Sequence, residues 1–363
     1  NRRQNCSGVI GLSRNQPGLT QEVYLSPERA SVCLLPRQLG LGGPASFQAG
    51  LRREFKELSV SITDDPLDEK LDAILVFGAT RGIGNLRRAQ KAGVRVVQRL
   101  NGMNWVHRRK YTGVRHFIKA EVGNLKLRSV RKLANGIIYQ SNFSREWWDR
   151  VHGKVESRHT VIYNGVDVNL FSPDAVNLPE DHTRLLMIEG HHGGGYEQGL
   201  ETGSELARRL ARVTGRACEL MVVGDVPATL QKSIDNNGGW VTWLGVVKHE
   251  EIPAIDRSAH LFFSADINAA CPNSVLEAMA CGLPVVAYDT GAMEELVEIN
   301  TGRLADFGGN VWKLEPPSLD NLVGAARQVL ESRENLSRGA RDAALLHFDI
   351  KQVAQRYLDF LLN

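Results

Sequence analysis

Long hydrophobic runs are missing from this 363-residue chain. No stretch approaches the roughly 18 to 20 apolar residues that a membrane span requires, which excludes an integral membrane protein. Cysteine is scarce: Cys6, Cys33, Cys218, Cys271 and Cys281 are odd in number, far apart, and form no Cys-x-x-Cys or Cys/His cluster. That argues against a disulfide frame or a zinc site and for a reducing cytoplasm. No secretory leader is visible at the start, which reads Asn1 rather than Met. An excess of either charge is lacking too, with 44 Lys and Arg against 41 Asp and Glu. What remains, 42% hydrophobic and 23% charged residues, is the composition of a soluble globular protein, with length for roughly two domains.

The balanced total hides an uneven distribution. Between Arg81 and Asn135 there are 15 Lys or Arg and one acid, Glu121, leaving 29 basic and 40 acidic residues elsewhere. Trp105, His107, Arg108, Arg109, Lys110, Tyr111, Phe117 and Lys119 lie in this stretch. Basic residues mixed with aromatics suit peripheral contact with an anionic membrane, and equally suit a solvated helix face.

Apolar runs alternate with helical patterns, the signature of parallel sheets covered by helices. The first half predicts strands at 31–35, 58–62, 73–77, 94–100, 136–140 and 159–163. The second half predicts them at 184–188, 219–223, 241–244, 260–264 and 284–287. Prolines and acids at 170–181 interrupt the pattern and mark a junction. The fold class is therefore α/β, with two doubly wound domains at 1–172 and 173–348 and a C-terminal helix at about 349–363 crossing back onto the first. Residues 1–30 are polar and irregular and receive no fold.

The segment from Asn273 to Tyr288 reads as a short helix followed by a buried strand. Asn273 or Ser274 can cap the helix, Gly282 can end it in a left-handed turn, and Pro284 opens the strand. Free amides of its first turn would face a phosphate, while Glu277, one turn in, can accept hydrogen bonds from a ribose diol. An ordinary packing helix with a solvated glutamate is the plainer alternative. Two glycine-rich loops, Leu39 to Pro44 and Gly193 to Gly195, follow first strands and precede helices, so their backbones can approach a ligand. Leu75 to Gly84 looks like the cofactor turn of short-chain dehydrogenases. No tyrosine, however, is followed four residues later by the lysine that such NAD(P) chemistry needs.

These segments occur in an order that resembles the family-4 glycosyltransferases of GT-B fold. They are Leu-Gly-Gly-Pro at 41–44, Arg-Leu-Asn-Gly at 99–102, Gln-Ser-Asn-Phe-Ser at 140–144 and Val-Ile-Tyr-Asn-Gly-Val-Asp at 161–167. Val-Val-Gly-Asp at 222–225, Trp-Leu-Gly-Val at 243–246 and Leu-Glu-Ala-Met-Ala-Cys-Gly-Leu-Pro-Val-Val at 276–286 complete the set.

The resemblance implies two Rossmann-like domains facing a cleft and a retaining hexosyltransferase. It would move a sugar from a nucleotide-diphosphate sugar, such as a UDP-sugar, to a glycan or polyprenyl-linked acceptor in cell-envelope polysaccharide synthesis. It further implies that Glu277 grips the ribose, and that the main chain of Ala270, Cys271, Pro272, Asn273, Ser274 and Val275, with that of Gly42, Gly43 and Gly224, surrounds diphosphate and sugar. Gly245 and Val246 would frame the base, and Asn101 and Gly102 would stand at the reacting sugar. No metal, no cofactor and no nucleic-acid partner are expected.

Two positions depart from the family pattern. Ala269 stands where the first of two paired glutamates is expected, and Gln198 where a lysine is. His191, His192, Gly193, Gly194 and Gly195 occupy the region of the missing cations, so glycine amides and a basic residue from the first domain would take over. A non-catalytic nucleotide-sugar-binding homologue and a sugar-nucleotide epimerase are the alternatives of the same fold.

Overall fold

The computed structural model describes residues 30–38, 40, 42–175, 177–193 and 197–363. The first lobe runs β1 (Ser31–Leu35), α1 (Gly43–Glu57), β2 (Ser61–Thr63), β3 (Ala73–Phe77), α2 (Ile83–Lys91), β4 (Arg95–Leu100), α3 (Val114–Leu133), β5 (Gly136–Tyr139), α4 (Asn142–His152) and β6 (Arg158–Val161). Its six strands pair in parallel in the order β2-β1-β3-β4-β5-β6. Alternation along the strands splits the side chains between two packed faces. Val32, Leu34, Ala73, Leu75 and Phe77 join one core, and Cys33, Ile74, Val76 and Val96 join the other. Covering both faces is what a parallel sheet requires.

The second lobe runs β7 (Thr183–His191), α5 (Glu197–Thr214), β8 (Cys218–Asp225), α6 (Ala228–Asn236), β9 (Trp240–Gly245), α7 (Ile252–Asp256), β10 (Leu261–Ser264), α8 (Asn273–Ala280), β11 (Val285–Tyr288), α9 (Met293–Leu296) and β12 (Gly302–Ala305). Helices α10 (Leu319–Glu331), α11 (Arg333–His347) and α12 (Ile350–Leu362) follow. Its strands are also parallel, ordered β12-β11-β10-β7-β8-β9. Helix α11 packs on α8 within this lobe, whereas α12 returns to the first lobe and packs on α1. Two backbone bonds fix the return, Val166 N to Phe348 O at 2.8 Å and Ile350 N to Val166 O at 3.0 Å. Gly165 permits this approach, since a Cβ there would lie 2.8 Å from Ile350 Cα.

Three local expectations need correction. Strand β2 begins at Ser61 rather than at 58, because Leu58 closes α1 and Ser59 turns away with φ of +60°. Strand β12 was not foreseen. Neither Asn273 nor Ser274 caps α8: Pro272 holds that position, with no side-chain cap. Gly282 does take the left-handed turn beyond it, at φ +70°.

Candidate active site

The carboxyl ends of both sheets face a cavity of about 800 Å³ between the lobes. This is where open parallel sheets bind ligands, because helix N-termini and strand-end loops converge there. On the second-lobe side stands α8. Its first turn carries no acid and no side-chain cap, so its leading amides remain available to an anion. Behind it Val275, Leu276, Ala278, Met279 and Ala280 are buried in the core, which anchors the helix.

A chain of amide side chains ties α8 to the first lobe. Arg99 Nη2 donates to Asn164 Oδ1 over 2.6 Å, Asn164 Nδ2 donates to Asn273 Oδ1 over 2.7 Å and to Cys271 O over 2.8 Å, and Asn273 Nδ2 donates to Gly43 O over 2.8 Å. Asn273 is thus a strut between lobes and not a cap. Cys271, held by Asn164 N at its Sγ, is pushed up to about 12 by burial and stays a thiol at neutral pH, unsuited to nucleophilic attack.

Arg99 is 5% exposed. Its guanidinium lies 4.5 Å from the ring centre of Phe47 and 5.4 Å from that of Phe77, Nε has no partner, and no carboxylate pairs with it among the described residues. A buried cation supported by ring faces and an amide, with no carboxylate beside it among the described residues, offers its charge to whatever anion enters the cleft it lines. Beside it Asn101 O accepts from Trp148 Nε1 at 2.7 Å, and Gly102 leaves room for Trp147, whose ring a Cβ would meet at 2.8 Å.

Glu277 lines the cavity, 8% exposed, and its Oε1 bonds His249 Nε2 at 2.9 Å. That hydrogen bond raises the affinity of His249 for its proton. The same cavity is lined by Glu189, near the end of β7, and Asp266, which follows β10. Burial raises the pKa of Glu189, with repulsion from Asp266 adding to it, and burial pushes Asp266 up to about 7.

Of the residues singled out by sequence, the cavity wall brings together Gly42, Gly43, Asn101, Gly102, Gly224 and Val246, and with them Ala270 to Ser274 and Glu277. His191, His192, Gly193, Gly245 and Val275 do not line it. β7 extends through His191, which pairs with Asp225 on the exposed side at 2.9 Å. His192 turns inward, 2% exposed, and donates from Nε2 to Val223 O, while burial lowers its pKa and keeps it neutral. Neither histidine replaces the missing lysine. Gly194 and Gly195 lie outside the described residues. The side chain of Val275 belongs to the core, leaving only its amide near the cleft.

Sequence reasoning missed Arg99, Asn164, His249, Glu189 and Asp266 as site residues. Arg99 and Asn164 stood inside recognised segments, whereas Glu189 and Asp266 meet only because β7 and β10 are neighbours in the sheet.

The lobes are closed on each other by further contacts. Glu295 accepts the amides of Asn142 and Phe143 at the start of α4, at 2.7 and 2.6 Å. Trp312 sits with ring centres 5.2 Å from Trp105 and 5.0 Å from Trp147.

Fold and cleft together define a protein of GT-B architecture. Solved structures with this arrangement include the sucrose-phosphate synthase of Thermosynechococcus elongatus, at TM-score 0.71 and 16% identity over 92% of this chain and 98% of that one. HepE of Anabaena, solved in complex with UDP and glucose, aligns at TM-score 0.66 and 16% identity over 92% and 99%. Residues 194–331, most of the second lobe, match the family described as glycosyl transferases group 1. Among curated proteins, the chain is similar to an alpha-D-kanosaminyltransferase of Streptomyces kanamyceticus, 29% identical over 156 residues, 42% of this chain and 37% of that one. It is also similar to a 2-deoxystreptamine glucosyltransferase of the same organism, 25% identical over 186 residues, 47% of each. The matched region spans less than half the length of these curated relatives.

Proposed function

We propose that this chain is a retaining glycosyltransferase that moves a hexosyl unit from a nucleotide-diphosphate sugar, a UDP-sugar, to a glycan or lipid-linked acceptor in cell-envelope polysaccharide synthesis. One observation carries the reading: the open N-terminus of α8, free of acids, adjoins the Gly42–Gly43 turn in the wall of an 800 Å³ cavity, with Glu277 one helical turn behind. HepE, with the same fold, was solved with UDP and glucose.

In this reading the uridine ribose hydroxyls bond Glu277 in place of His249. The diphosphate lies on the amides of Asn273 and Ser274 and takes Arg99 as its counter-charge. As the anomeric carbon–oxygen bond breaks, charge builds on the departing phosphate, where fixed amides and a buried guanidinium stabilise it without reorganising. The acceptor attacks from the same face, so no protein nucleophile is required; this fits the thiol state of Cys271. The chain would work without metal, in the cytoplasm. Contact with an anionic membrane would run through α3, whose exposed Val114, Ile118, Val122 and Leu125 lie among Arg115, Lys119 and Lys126.

Calorimetry with UDP, followed by assay of UDP release from a panel of donor sugars with and without acceptor glycans, tests this reading. Binding with acceptor-dependent release is expected, and Glu277→Ala should weaken UDP about tenfold or more, as loss of charge-assisted hydrogen bonds does. Failure of UDP to bind at all would end the proposal. The second reading, a binding homologue without turnover, draws on Ala269 and on the absence of His191 and His192 from the cleft; binding without release under any donor and acceptor would select it.

A further inference from the structure

The wall of the cavity that faces Arg99 carries the opposite sign. Glu189 lies two residues before the end of β7, and Asp266 stands two residues beyond β10, its parallel neighbour. Adjacent strands lie roughly 5 Å apart, so side chains leaving their ends in the same direction come close. Both carboxylates line the cavity, and among the described residues neither has an ion-pair partner. Each is half-buried in the floor of the cleft, and each is held toward its protonated form. The backbone enforces this position: Gly224, at φ +133°, lies so close to Glu189 that any Cβ would collide with the Glu189 carbonyl.

An independent observation points to a ligand at the same place. Asn268, 6% exposed, lines the same cavity, and its Nδ2 has no hydrogen-bond partner. A buried amide donor left unpaired costs free energy that a bound acceptor recovers. Two carboxyl groups, whose ionisation a neighbouring cation would favour, and one unused donor, grouped on one wall, complement a small group carrying both positive charge and hydroxyls. They do not complement a phosphate, which the carboxylates would repel.

We infer that Glu189, Asp266 and Asn268 form a subsite for an ammonium-bearing sugar. The glycosyl unit of the donor carries a free amine that pairs with the two carboxylates, while Asn268 Nδ2 donates to a neighbouring ring hydroxyl. The inference rests on the nucleotide-sugar reading above and adds the class of sugar. It also assigns the two acids a purpose in a cleft whose other wall binds an anion. A divalent cation chelated by the diphosphate presents the same positive charge, and the test separates the two sources.

Titration calorimetry on the full chain supplies that test. The probes are UDP, UDP-glucose, and UDP-sugars bearing a free amine at the 2, 3 or 4 position, each beside its N-acetylated counterpart, all in EDTA and then in Mg²⁺. At least one amine should bind tenfold or more tighter than its acetylated form in EDTA. In the Glu189→Gln/Asp266→Asn double variant that ratio should fall to within twofold. The ratio in the unaltered protein stands by itself should the variant fail to fold. Equal affinities for every amine and acetyl pair overturn the inference while UDP binding still supports the nucleotide reading, and no binding of UDP overturns both. Tightening of UDP-glucose by Mg²⁺ that requires the two acids, with no preference for amines, assigns the subsite to a metal ion and overturns it as well.

Discussion

Asn273 Nδ2, on the second lobe, donates to the carbonyl oxygen of Gly43, on the first, over 2.8 Å. The bond holds the α8 amides and the glycine turn in mutual register, and it constrains both partners. A Cβ at Gly43 would stand 3.4 Å from that same Nδ2.

Asn273→Ala should therefore loosen the donor site without unfolding the chain. A hydrogen bond of this kind contributes about 1 kcal/mol, so UDP affinity should fall about fivefold. The melting temperature should drop by no more than about 4 °C, given the few degrees per kcal/mol usual for large domains. Calorimetry and a thermal melt on one sample check both; unaltered UDP affinity would remove the strut from the site.

Arg99→Met tests where the counter-charge of the diphosphate comes from. The variant should lose affinity for UDP at least tenfold and lose little for uridine, because only the former places an anion in the cleft. Equal losses for both ligands, measured by competition, would make Arg99 a purely structural cation held by Phe47, Phe77 and Asn164.

The pH dependence of stability follows from Asp266. Folded, it keeps its proton up to about pH 7; unfolded, it releases it near the ordinary 3.8. The folded state thus binds more protons in that window, and stability falls as pH rises through it, by up to about 1.4 kcal/mol per unit. Removing the charge by Asp266→Asn should flatten the melting curve against pH between about 4 and 7 and raise the melting temperature above pH 7. His249 acts with the same sign from pH 6.5 upward, since its raised value stabilises only while the proton is held; a His249→Gln control isolates its share. Parallel curves for Asp266→Asn and the unaltered protein would contradict the assignment.

Helix α3 should hold the chain to anionic vesicles. Ile118→Glu with Leu125→Glu places two acids on its exposed apolar face. This should reduce sedimentation with phosphatidylglycerol vesicles at least fivefold, with no matching change on neutral ones. The basic stretch is less free than its sequence suggests: Arg108 and His107 both bond Glu121, and Lys110 pairs with Glu197 at 2.7 Å. Loss of binding on α3 alone would therefore assign the contact to the apolar face rather than to the Arg108–Lys110 cluster.

The strands most legible in sequence were those that are apolar over nearly their whole length. Ser31–Leu35 and Ala73–Phe77 were bounded to the residue, since both faces of a parallel sheet are covered and every position but Leu35 is buried. Gly302–Ala305 was missed because Gly-Arg-Leu-Ala has no strand pattern of its own; pairing with Val285 to Tyr288 makes it one. At the site, the helix and the glycine turn could be read because local spacing encodes them. The acid pair could not, since Glu189 and Asp266 become neighbours only through the order of the sheet. His191 and His192 misled for a similar reason: composition supplied basic rings, and the fold then set one on the exposed Asp225 and turned the other inward onto the Val223 carbonyl.

Helix α12 contributes seven buried side chains, Ile350 and Leu361 among them, to the lobe made first. As the polypeptide leaves the ribosome, the β1–β3 face is therefore synthesised well before the segment that covers it. That half must wait, partly open, until the other half has been made. Severing the two at the junction would yield one fragment with an exposed apolar sheet and another with an orphaned amphipathic helix, so neither piece is a natural unit of folding.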